Sequence, residues 1–128
     1  MTSIQSHPTR EHYWAVGSYD ETVRIFDARR PQRPVAQAPV GGGIWRTKWH
    51  PTQADHLLLG CMHGGVHIVA WAEGAAEVTD VCHYTGHTSI AYGCDWERGA
   101  WRATPPPAES LVYSCSFYDA SLHIWAWP

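Results

Sequence analysis

Apolar and polar residues alternate with a period of two along most of the chain, in short runs broken by turn residues. Near the C-terminus, runs at 111–116 and 122–127 flank the polar break Tyr118-Asp119-Ala120-Ser121, the pattern of a β-hairpin. In the second run Leu122, Ile124 and Ala126 share one face, and His123, Trp125 and Trp127 share the other. Large residues on both faces predict a strand packed between two sheets. The stretch YWAVGSYDETVRIFD, at 13–27, has the same hairpin form. Further strands are expected at 35–38, 44–50, 56–62, 66–71, 77–84 and 91–97, with a poorly patterned candidate at 3–7. Turns are expected at Tyr19-Asp20-Glu21 and His63-Gly64-Gly65. The segment 98–109, with Pro105-Pro106-Pro107, has the composition of a surface insertion. A helical period never persists beyond one or two turns.

The pattern also repeats. His7-Pro8 returns 43 residues later as His50-Pro51, and Trp49 returns 47 residues later as Trp96. Three units follow, about 1–39, 40–85 and 86–128, each near the ~40–47 residues of a four-stranded propeller blade. The expected fold is all-β: a partial β-propeller of about three four-stranded antiparallel blades whose ring does not close. The last unit stops after its third strand, and the first begins with its inner strand, so no spare strand is left to complete the last sheet. We therefore expect the C-terminal part of a larger protein or a truncated gene product, with missing blades or self-association covering the open edges.

Composition narrows the class. Apolar content of 45% and charged content of 16% describe a folded domain. Eight Trp suit packing between layers. The nine Lys and Arg are scattered apart from Arg29, Arg30 and Arg33, so the basic stripe of a nucleic-acid binder is missing. No membrane segment is expected either. Cys61, Cys82, Cys94 and Cys115 form no C-x-x-C pair, and residues 1–10 lack the apolar core of a signal peptide. They are expected as buried free thiols in a cytoplasmic protein. Nine His include no H-E-x-x-H, and Cys61-x-His63 alone is too little for a metal, so no metal or cofactor is expected. No G-x-S-x-G elbow is present for an α/β-hydrolase.

Gly86-His87 followed 38 positions later by Trp125 resembles the Gly-His to Trp-Asp spacing of WD repeats. That resemblance implies a hydrogen-bonded set of His87, a Ser position occupied by Cys115, turn Asp119 and Trp125. In the first unit Asp20 and Asp27 match, with Phe26 for Trp; in the second, Gly64 replaces the turn Asp and Val69 the Trp. The segments GGGIWRTKWHP, LLLGCMHGGVHI, SIAYGCDW and CSFYDASLHIWAW further resemble the C-terminal blades of the WD-repeat diphthine methyl ester hydrolase family, once labelled diphthine methyltransferases. The family implies hydrolysis of the methyl ester of diphthine, a modified histidine of elongation factor 2, which would be the partner.

Propellers bind ligands at the mouth of the central channel, where this chain would contribute Tyr19, Asp20, Trp45, Arg46, His63, Tyr92, Tyr118 and Asp119. Ester hydrolysis needs a base and donors to the developing oxyanion. His63 is the first choice of base, and Arg46 or Tyr92 the donor; Arg46 could instead hold the substrate's carboxylate. Trp45 could stack on a cationic side chain, with Tyr19 and Tyr118 beside the substrate. Each has a plainer reading. Asp20, Asp119 and His87 suit turn locking, His63 suits a solvated turn, Arg46 equally suits pairing with a neighbouring blade, and His7 and His50 suit strand ends. The competing function is a non-catalytic WD-repeat interaction scaffold.

Overall fold

The computed structural model describes residues 1–99 and 109–128, and no α-helix lies among them. Eleven strands form: β1 Ser3–Ser6, β2 Tyr13–Gly17, β3 Thr22–Asp27, β4 Ala36–Pro39, β5 Arg46–Trp49, β6 His56–Gly60, β7 Val66–Ala70, β8 Thr79–Tyr84, β9 Ala91–Trp96, β10 Ser110–Ser116 and β11 Leu122–Trp127. They pair in three antiparallel meanders, β1–β4, β5–β8 and β9–β11. The inner strands β1, β5 and β9 pack against one another in turn. This is a partial propeller of stacked blades. The predicted insertion 98–109 lies largely outside the described residues.

The middle sheet explains the stacking. Leu57 and Leu59 of β6 and Val69 of β7 join Ala15, Val23, Ile25, Ile44 and Trp49 in a core shared with the first sheet. Leu58, Val66 and Ile68 point the other way, to Ala91, Cys94, Trp96 and Val112 of the third. Because β6 and β7 are apolar on both faces, each face needs a neighbouring sheet to exclude water.

Where strands end differently from the pattern, a bond to a neighbouring sheet is the reason. Ile44 donates its N–H to the Ser18 carbonyl at 3.0 Å, so β5 starts only at Arg46. Met62 has φ +50° and exchanges both backbone bonds with Ala91 of the third sheet, at 2.9 and 3.0 Å, so β6 stops at Gly60. β1 lacks an apolar pattern because its polar side chains join the sheets. Ser3 Oγ lies 2.8 Å from Thr47 Oγ1, and Gln5 Oε1 accepts the Trp49 N–H at 2.8 Å.

His7 and His50 do more than end strands. The His7 ring packs on Trp49 and the His50 ring on Trp96, each with centroids 4.5 Å apart. Trp49 Nε1 donates to the Gln5 carbonyl at 3.2 Å, and Trp96 Nε1 to the Lys48 carbonyl at 2.8 Å. The same clasp therefore joins the first sheet to the second and the second to the third. His50 Nδ1 accepts the N–H groups of Thr52 and Gln53 at 3.1 and 2.9 Å, which leaves Nε2–H to donate to Ser110 Oγ at 2.8 Å. His7 repeats this with Arg10 N–H at 3.0 Å and the Ala54 carbonyl at 2.8 Å. Both rings work only when neutral, because a proton on Nδ1 would displace its donors.

Two expectations are corrected. β11 is not enclosed on both faces: Trp125 and Trp127 pack on the middle sheet, but Leu122 and Ile124 remain 63% and 59% exposed. The alternation located the two faces and not whether a second sheet covers the outer one. The cysteines are all free, yet only Cys61 and Cys94 are buried, while Cys115 is exposed on that open face.

Burial lowers the pKa of His7 and brings that of His50 down to about 4. The unfolded chain therefore binds protons first as pH falls, so the stability held by the neutral rings is complete above about 6.5 and is lost toward 4. Urea midpoints read by tryptophan fluorescence should fall between about pH 7.5 and 4.5, across that window. Equal midpoints would sink the neutral-ring clasp. Trp96→Ala, which removes an indole from this joint, should cost about 3–5 kcal/mol.

Candidate functional site

The turns after β2, β6 and β10 and the segments entering β5 and β9 meet at one end of the stacked sheets. Phe117 N–H bonds to the Ile90 carbonyl at 3.1 Å, Tyr118 N–H to Ser89 Oγ at 3.3 Å, and Thr88 Oγ1 to Asp119 Oδ2 at 2.8 Å. The glycines before β5 are needed for this approach, since a Cβ on Gly42 would lie 2.1 Å from the Cys61 carbonyl oxygen.

Tyr19, Asp20 and His63 come together there. With Glu21, Gly42, Gly43 and Met62 they line a cavity of about 250 Å³ between the first two turns. The His63 side chain has no hydrogen-bond partner among the described residues. Asp20 is committed elsewhere. It accepts Arg24 NH2 at 2.7 Å and NH1 at 3.2 Å, and the Thr22 N–H at 3.1 Å. The Arg24 guanidinium is the largest cause holding its carboxyl down at about 2, so Asp20 stays ionised and is a poor base.

A second group lies along the same end. Trp45 meets Tyr92 edge-on at 5.4 Å, Tyr92 meets Phe117 at 5.4 Å, and Phe117 meets Tyr118 at 5.0 Å. Phe117 was missed by sequence reasoning; its signal was the aromatic pair that interrupts alternation after Ser116. Arg46 is exposed, does not line the cavity, and donates NH1 to its neighbour Trp45's carbonyl at 3.0 Å. The structure thus shows no direct contact between His63 and Arg46.

The WD set in the third sheet is built on Ser114 and not on Cys115. Ser114 Oγ lies 2.7 Å from His87 Nε2 and accepts Trp125 Nε1–H at 3.0 Å. The position was displaced by one because adjacent strand residues face opposite sides, and Ser114 and Cys115 are adjacent. Asp119 does not complete the set through His87. It bonds Ser116, Thr88 and Ser121, and the Ser116 hydroxyl is the largest cause that lowers its pKa. His87 Nδ1 is buried without a partner among the described residues, and burial lowers the His87 pKa.

The second-sheet assignment also shifts. The pairs Gly17↔Val23 and Gly60↔Val66 enclose turns of equal length, so by count His63, and not Gly64, stands where Asp20 does. The hydroxyl and carboxylate positions of the first and third turns have no counterpart here.

This fold and its Trp–Ser–His set define a WD-repeat β-propeller chain. No family model matches it. A crystal structure of the mitotic checkpoint complex contains a chain that superposes with a TM-score of 0.74 at 12% identity, across 98% of this chain and 35% of that one. Among curated relatives, a diphthine methyltransferase homolog of Dictyostelium discoideum is 41% identical over 98% of this chain and 35% of its own length. Human diphthine methyltransferase is 45% identical over 75% of this chain and 22% of its length, and that of Saccharomyces cerevisiae 33% over 85% and 31%. The chain belongs to this diphthine methyltransferase family, and it spans about a third or less of these relatives.

Ser114→Ala leaves the half-buried Trp125 Nε1–H and His87 Nε2 without their shared partner and should cost about 1–3 kcal/mol in urea unfolding. Cys115→Ala, on the open face, should change stability by no more than about 0.5 kcal/mol. The reverse order would return the set to Cys115.

Proposed function

We propose that the protein hydrolyses the methyl ester of diphthine on elongation factor 2, with His63 as general base. The observation that carries this reading is the unpartnered His63 imidazole at a cavity whose neighbouring carboxylate, Asp20, is already tied to Arg24. His63 takes a proton from water as the water oxygen bonds the ester carbonyl carbon. The tetrahedral intermediate then expels methoxide, which leaves as methanol with the proton returned by His63. The products are the free carboxylate and methanol, and no redox partner is required.

The developing oxyanion needs a donor; Tyr92 and Arg46 lie at the same end but outside the cavity lining, so either serves only by swinging toward the bound ester. Glu21 beside the Tyr19 ring makes the cavity suited to a cationic side chain, and Trp45 offers a further aromatic face. The reading places the protein in the cytoplasm with its protein substrate. One observation favours a second reading: the exposed Phe117 and Tyr118 suit a non-catalytic surface for a protein partner.

Incubation with elongation factor 2 carrying methylated diphthine, with methanol followed over time, separates them. Release should occur and should fall by about 10²-fold or more in His63→Ala, the lower end of what a general base contributes. Binding without release, unaffected by His63→Ala and weakened by Phe117→Ala, would leave the scaffold reading.

A further inference from the structure

The turn that carries His63 is gripped from behind by two imidazoles. His67 on β7 places Nδ1 2.7 Å from Asp80 Oδ2 on β8 and Nε2 3.1 Å from the Gly64 carbonyl oxygen. His83 lies opposite His67 in the β7–β8 ladder and stacks on it, with centroids 4.0 Å apart and planes at 15°. Its Nε2 reaches the same Gly64 oxygen at 2.6 Å. A carbonyl only accepts, so both Nε2 atoms donate, and its two lone pairs serve two donors. The Asp80 carboxylate also accepts. His67 therefore makes both bonds only with hydrogen on both nitrogens, and Asp80 balances the resulting charge.

This is an expensive way to fasten a strand. His67 is buried while Asp80 is exposed, and a charge on the buried ring is stabilising only where its partner and hydrogen bonds are all in place; an apolar residue would serve packing as well. The arrangement converges on a single carbonyl, that of the residue after His63. Inside the turn, Gly64 N–H bonds to the Cys61 carbonyl at 2.7 Å and Gly65 N–H to that of Met62 at 3.2 Å. Met62 and Gly65, with φ +50° and +78°, hold it in a shape with little slack.

We propose that His67 is a positioning residue for the reaction: Asp80 orients its ring, and His67 with His83 grips the Gly64 carbonyl so that the turn presents His63 to the cavity. This rests on the reading of His63 as base. Asp80→Asn and His67→Phe are compared with the unaltered protein by amide hydrogen exchange and by methanol release. Exchange at Gly64 and Gly65 should quicken by about tenfold, the factor of one lost hydrogen bond, while Leu57, Leu58 and Leu59 stay protected. kcat should fall by about tenfold, the same factor, with KM little changed, and Asp80→Glu should recover most of both effects. Unchanged exchange at Gly64 and Gly65 in both variants would overturn the proposal. So would a kcat untouched by Asp80→Asn while His63→Ala abolishes turnover. Were the unaltered protein to release no methanol, the hydrolase reading would fall by itself, and the exchange result would still uphold or overturn the grip on the turn.

Discussion

The middle sheet is apolar on both faces, and the rest of the structure depends on covering it. With Leu57 and Leu59 on one side and Leu58, Val66 and Ile68 on the other, it cannot stand alone in water. The first and third sheets each supply one covering face, and each leaves its outer face open. Ile4 remains exposed at one side of the stack, and Leu122 and Ile124 at the other. Stacking also sets the direction of everything at the mouth. Once the inner strands lie side by side, the turns after β2, β6 and β10 emerge at one end, and Tyr19, His63 and Tyr118 follow from that.

Apolar burial alone does not specify how sheets are registered, and here polar bonds provide the alignment. The His7–Trp49 and His50–Trp96 clasps pair a tilted, edge-on ring contact with indole and imidazole hydrogen bonds of fixed geometry. Backbone bonds at the mouth continue the alignment, through Ser18 to Ile44 and Met62 to Ala91. A shift between sheets would break both sets at once, which ties the geometry of the cavity to the clasp at the far end of the inner strands.

Strand periodicity and the His-Pro and Trp intervals were enough to read the sheets, since period-two alternation follows directly from the pleat. β1 was hard to read because its side chains bond to a sheet more than forty residues away, and such bonds leave no hydrophobic pattern. The candidate site was legible as a set of turns and less so as a set of contacts. That Tyr19, Asp20 and His63 share a cavity follows from topology. That Arg46 turns back onto Trp45, and that Ser114 rather than Cys115 bonds His87, depends on side-chain direction at one residue's resolution. His67, Asp80 and His83 were not singled out at all. Lying on β7 and β8, they look in sequence like ordinary strand residues, and only the fold brings them to the Gly64 carbonyl.

The three turns at the mouth solve one problem in different ways. In the first, Asp20 accepts the N–H of Thr22 two residues on; in the third, Asp119 accepts that of Ser121. Each carboxylate closes its own turn from inside and is used up in doing so. In the second turn His63 occupies that position and does not close the turn, which is held from outside by His67 and His83. A turn that must be rigid and yet leave its central side chain unbonded needs its fastening on the backbone, and Gly64, next to His63, is where it lies. The second sheet carries an imidazole where the first and third carry a self-locking carboxylate, and behind it the buried His67 is paired with the exposed Asp80.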